Sequence, residues 1–145
     1  MKIPRMTVIT LGVSDLARST AFYREIFSTP PNTENEGVTF FPLSGAWLSL
    51  FPLEKLVEDI GEEVKLPASG VFRGFTLAYN ASSKEELASI FARVAETGAH
   101  IAKAPQDTFW GGYSGYFSDP DGHYWEVAWG PMFDFTEHGD LRFKT

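Results

Sequence analysis

One pattern, met twice, constrains this chain more than any other feature. Residues 9 to 13 (Ile-Thr-Leu-Gly-Val) and 75 to 79 (Phe-Thr-Leu-Ala-Tyr) are matching short alternating runs, and the matched threonines, Thr10 and Thr76, stand 66 residues apart. Alternation sets Ile9, Leu11 and Val13 on one face of the first run and Val8, Thr10 and Gly12 on the other. Each run is followed by helix-starting chemistry. Ser14-Asp15 precedes a stripe of Leu16, Thr20, Tyr23 and Phe27, with Phe22 and Ile26 beside it. Ser83-Lys84-Glu85-Glu86 reads as a capping box ahead of Leu87, Ile90, Phe91, Val94 and Ala95, with Gly98 to close the helix.

After each helix come strand-like runs separated by turn residues. In the first half, 38 to 43 and 46 to 51 flank Ser44-Gly45, with a weak run near Thr33 to Glu36 ahead of them. In the second, 71 to 80 is the opening strand, 99 to 103 and 112 to 118 follow the helix, and Asp119-Pro120-Asp121-Gly122 turns the chain into 123 to 129. The expected fold is therefore α+β, a single domain over 1–145 built from tandem βαβββ modules at 6–53 and 71–130. A charged stretch at 54–70, holding at most one helical turn at Glu54 to Ile60, connects them, and a tail runs over 131–145. Helices on one sheet face leave the other faces free to form a shared concavity.

Composition narrows the function classes. A chain of 145 residues with 43% hydrophobic content buries a core without any run long enough to span a membrane. With no cysteine, disulfides, thiolate nucleophiles and Cys-ligated metals are excluded. A formal charge of −7 argues against a nucleic-acid partner. The start of the chain carries no apolar signal segment before the first strand, which predicts a cytoplasmic location.

Within that frame a few residues carry chemistry. On the last strand, Tyr124, Glu126 and Ala128 share one face, and Trp125, Val127 and Trp129 the other. The second set is all apolar and is expected in the core, so Glu126 points the opposite way. Matching residues 47 to 51 with 124 to 128 places Ser49 opposite Glu126 and Trp47 opposite Tyr124. Glu126 suits pairing with a cationic ligand or accepting a proton, in a groove walled by Trp47, Tyr124 and Trp110. Phe109-Trp110 followed by Gly111-Gly112 has the makings of a mobile aromatic lid. His100, His123 and His138 lie in separate segments with no metal-binding spacing, and Arg73 is the one cation placed to touch an anion.

The tandem modules, with Val-Ser-Asp-Leu at 13 to 16 and Asp-Pro-Asp-Gly-x-x-x-Glu at 119 to 126, resemble the vicinal oxygen chelate superfamily of glyoxalases, extradiol dioxygenases and bleomycin-resistance proteins. In its metal-dependent members the first and last strands of each module supply His, Gln or Glu ligands. Those places fall on Val8, Ser49, Gly74 and Glu126, of which only Glu126 has ligand chemistry. The resemblance therefore implies a bleomycin-resistance-like protein without catalytic metal or other cofactor, a homodimer that binds a small organic molecule through Trp47, Ser49, Trp110, Tyr124 and Glu126. The alternative is a lyase, isomerase or dioxygenase of the same superfamily, with a rearranged metal site or with Glu126 as catalytic base. A concavity without a ligand, on a domain that binds partners, is the third reading.

Overall fold

The structure, a computed structural model, describes all residues from Met1 to Thr145 and divides into two compact units, Met1–Val71 and Phe72–Thr145. Both mix helix and sheet, as the α+β expectation requires. No helix is long and apolar enough to cross a membrane.

In the first unit, β1 (Val8–Val13) pairs in parallel with β3 (Trp47–Pro52), and β2 (Thr39–Phe41) pairs antiparallel on the far side of β3. The helix α1 (Leu16–Phe27) begins where the Asp15 side chain accepts the backbone N–H of Arg18 at 3.0 Å, which satisfies a donor that the first turn leaves unpaired. It ends at Ser28, in the left-handed conformation with φ of 49°, just ahead of the prolines. Its apolar stripe covers one sheet face. Tyr23 is fully buried, stacks on Phe27 at 5.5 Å and meets Phe41 edge-on, with Leu11, Val13, Leu48 and Leu50 buried in the same core. Thr20 and Thr39 join helix to sheet through a 2.8 Å hydroxyl contact. The weak run at Thr33 to Glu36 is not a strand; a single bridge, Asn32 to Phe40, stands nearby.

The charged connection carries more helix than its sequence suggests. Residues Leu53–Ile60 form α2, whose Leu53 lies against Gly12; a Cβ there would come within 2.5 Å of Leu53 Cδ1 and 3.3 Å of its Cα. Glycine at 12 is thus what lets α2 sit on the sheet face opposite α1.

In the second unit, β4 (Leu77–Asn80) pairs in parallel with β7 (Tyr124–Trp129), followed by β6 (Tyr113–Ser118) and β5 (His100–Asp107) in the order β4-β7-β6-β5. The helix α3 (Lys84–Glu96) starts at Ser83, whose hydroxyl accepts the Glu86 N–H at 3.0 Å. The reciprocal half of the capping box is replaced. Glu86 instead accepts the N–H and hydroxyl of Ser82, at 2.6 and 2.7 Å, and the phenol of Tyr79 at 2.7 Å. Leu87, Phe91 and Val94 are buried, and Phe91 meets Phe117, which stacks on Trp125 at 6.2 Å.

The opening strand of this unit is shorter than the expected 71 to 80. Gly74 has φ of +82°, outside the range of regular β pairing, and pairing begins only at Leu77. Strand β5 conversely runs past Lys103 to Asp107, at the sheet edge, with irregular register around Pro105. The tail folds as a hairpin, β8 (Phe133–Phe135) with β9 (Leu141–Phe143).

Candidate functional site

The Asp119 turn positions the second unit's candidate residues. The carboxylate Oδ1 of buried Asp119 accepts the N–H groups of Asp121 and His123, both at 2.9 Å, and Gly122 adopts φ of +81°. That fixes the register of the hairpin, so Ser118 faces Tyr124, Phe117 faces Trp125 and Tyr116 faces Glu126. Trp125 and Val127 enter the core under α3, as alternation predicts, and Glu126 stands on the opposite face between Tyr116 and Ala78. Ala78 is exposed, so one flank of the carboxylate is open.

Tyr116 faces Glu126 across the strand pair, and its pKa is raised, first by burial, then by the charge and the hydrogen-bonding influence of the neighbouring Glu126 carboxylate. The phenol is therefore a neutral donor at physiological pH. Two residues before Glu126, Tyr124 lies on the same face, and the ring of Phe72 meets it edge-on at 5.9 Å. Tyr124 and Glu126 are thus together, and Tyr116 and Phe72 complete the group. Sequence reasoning missed both. Counting outward from the Asp119 turn gives the Tyr116–Glu126 pairing, whereas Phe72 lay in a stretch read as regular strand.

Arg73 does not stand free for an anion. Its guanidinium donates to Nδ1 of buried His123 at 3.2 Å, and Phe75 lies beside the same imidazole, 6.1 Å between ring centres. An arginine only donates, so Nδ1 is the acceptor and Nε2 carries the ring proton. Trp110 packs against Phe133 at 6.5 Å, with ring atoms over Gly112 and Gly130, while its neighbour Phe109 projects fully exposed.

In the first unit, Ser49 is buried and its hydroxyl lies 2.5 Å from that of its register partner Thr10. Trp47, 45% exposed, is met edge-on by Phe40 at 6.1 Å, with Val8 as its partner across β1. Trp47 and Ser49 therefore share one face, the one opposite α1.

A profile of the glyoxalase/bleomycin resistance protein/dioxygenase superfamily matches residues 5–127. The chain belongs to this superfamily. Over 133 residues it is 29% identical to the metallothiol transferase FosB of Shouchella clausii, covering 90% of this chain and 83% of that protein. A glyoxalase-related enzyme from Fulvimarina pelagi superposes with a TM-score of 0.85 at 32% identity, over 99% of this chain and 100% of that one. The fosfomycin resistance protein FosX of Listeria monocytogenes superposes at 0.67 with 26% identity, over 90% and 97% of the two chains.

Strand register corrects how the superfamily's ligand places map onto the second module. Thr10 pairs with Ser49 and Ala78 with Glu126, so once Ser49 is matched to Glu126 the counterpart of Thr10 is Ala78, 68 residues on rather than 66. The counterpart of Val8 becomes Thr76 instead of Gly74. The face is unchanged, because the shift is by two residues. The four places then hold Val8, Ser49, Thr76 and Glu126, one carboxylate, two hydroxyls and an isopropyl group. No group of three or more His, Asp or Glu side chains comes together to hold a metal ion. This donor set does not fit the divalent metal implied by the name metallothiol transferase, since such an ion takes three or more nitrogen, thiolate or carboxylate ligands.

Proposed function

We propose that this member of the superfamily binds a small organic molecule against the sheet face that carries Glu126, without a divalent metal at the family place. The observation that carries this reading is the state of Glu126. It is the one ligand-type residue among the four family places, and it stands between Tyr116 on one neighbouring strand and exposed Ala78 on the other. Such a carboxylate suits orienting a ligand. Trp110, beside the tail hairpin of the same unit, is a further candidate for ligand contact; in the first unit half-exposed Trp47 is a separate one, whereas Ser49 is buried against Thr10.

Metal analysis of the purified protein, with and without chelator, tests the reading. The expected result is less than stoichiometric zinc, nickel, iron or manganese; one tightly held ion per chain would overturn it. A homodimer belongs to the same proposal, supported by exposed Ile3, Met6 and Phe143, and sedimentation measures it directly.

The second reading is a lyase, isomerase or dioxygenase with Glu126 as general base. A carboxylate standing beside a neutral phenol favours it. Glu126→Gln should then abolish turnover of any substrate found while preserving the fold, and retained activity would remove Glu126 from that role.

A further inference from the structure

We propose that the ligand held at Glu126 is an organic cation, preferentially an alkylated ammonium, seated between the carboxylate and the rings of Tyr124, Phe72 and Tyr116. The proposal rests on the ligand-binding reading above and adds its chemical class. Tyr124 and Glu126 are two residues apart on one strand face, Tyr116 stands across from Glu126 on the neighbouring strand, and Phe72 meets Tyr124 edge-on at 5.9 Å and 71°. Ring faces attract cations through their quadrupole, and a carboxylate supplies the full counter-charge.

The kind of cation follows from what the face lacks. A hard inorganic ion takes six or more oxygens, or keeps its water, and one carboxylate amid aromatic rings provides neither. An alkylated ammonium is weakly hydrated and presents methyl groups to the rings. The formal charge of −7 adds long-range attraction of the same sign.

The same sheet already holds an ammonium by this chemistry. On its other face, Lys84 Nζ lies 5.2 Å from the centre of the Tyr113 ring and 5.4 Å from that of Trp129, and 3.6 Å from the Asp107 carboxylate. Two rings and one carboxylate surround a primary ammonium there. The Glu126 face offers the same components, a carboxylate and neighbouring rings.

Titration of the ¹⁵N-labelled full chain with choline, and with its neutral isostere 3,3-dimethylbutan-1-ol, tests the proposal, with potassium chloride, benzyl alcohol and sodium benzoate as further arms. Choline should saturably shift the amides of Tyr116, Tyr124 and Glu126, with the isostere weaker by about tenfold or more. Glu126→Gln should weaken choline by a similar factor while keeping the amide spectrum of a folded chain, and Tyr124→Leu should weaken it with the carboxylate intact. Equal binding of the isostere, an equal response to potassium, or choline affinity indifferent to Glu126→Gln would overturn the cation class. Benzyl alcohol or benzoate shifting these amides where choline does not would overturn it too, yet leave the ligand-binding reading standing. Silence from every probe would remove both.

Discussion

Tyr116 stands directly across from Glu126 in the β6–β7 hairpin, and its phenol is held above its ordinary pKa by burial first and by the neighbouring carboxylate second. A phenol that resists ionisation beside a carboxylate stays a donor across the physiological range. The difference in absorbance at 295 nm between the wild-type chain and Tyr116→Phe isolates this phenol among the five tyrosines. Its titration should lie on the alkaline side of free tyrosine. In Glu126→Gln it should move part of the way back, because the charge is gone and the burial remains.

On the other face, Tyr79 is pushed up to about 12 by burial, by its hydrogen bond to Glu86 and by the charge of Glu86. A raised folded pKa means a contribution present below the unfolded value, near 10, and lost as pH rises through about 12. Glu86 shifts the other way: burial works to raise it, but the phenol of Tyr79 and the N–H and hydroxyl of Ser82 together lower it. Its contribution is present above the unfolded carboxyl value of 4.5 and is lost as pH falls through the folded one. Urea unfolding across pH should show Tyr79→Phe flattening the alkaline side and Glu86→Gln the acid side.

Gly12→Ala should destabilise the chain by about 1–3 kcal/mol, because the added methyl group would collide with Leu53 and push α2 off the sheet. Combining it with Leu53→Ala should cost less than the two single changes added together. Chemical denaturation of the four proteins in this cycle gives the coupling, and strict additivity would show that the contact carries no strain.

Trp110→Ala should loosen the tail hairpin selectively. The ring covers Gly112 and Gly130 and touches Phe133, and the hairpin's end is tied back by the Lys144 N–H to the Met132 carbonyl at 2.8 Å. Hydrogen exchange should quicken at the Phe133–Phe135 and Leu141–Phe143 amides and stay unchanged in β4 and β7. Uniform acceleration would assign Trp110 to the whole unit.

At the core, Leu87→Ala should cost about 2–5 kcal/mol, the range for truncating a fully buried leucine, as read from the urea midpoint.

Much of the fold is legible in the residues themselves. Asp15 and Ser83 cap the helices they precede, the stripes through Tyr23 and Phe91 face inward, and Asp119 to Gly122 reverses the chain into β7. Capping, helical periodicity and tight turns are short-range effects, so a few neighbouring residues specify them. Where the reading fell short, long-range contacts had intervened. Residues 71 to 76 look like strand, but Arg73 and Phe75 are drawn to His123, Phe72 is drawn to Tyr124, and Gly74 bends the path. The charged run after Pro52 gains a full helix because Leu53 finds the space left by Gly12.

The sequence alone determined that Glu126 turns away from the core, because Trp125 and Val127 must enter it and strand alternation leaves no other choice. It determined too that Val8, with no donor atom, cannot serve a metal. Tertiary structure decided what accompanies the carboxylate. Only strand pairing brings Tyr116, ten residues earlier, to its side, and only the parallel register of β4 with β7 sets Ala78 beside it and moves the third family place to Thr76. Side-chain chemistry is a local property of the chain, whereas the partners of a side chain are set by hydrogen-bond registers between segments far apart in sequence.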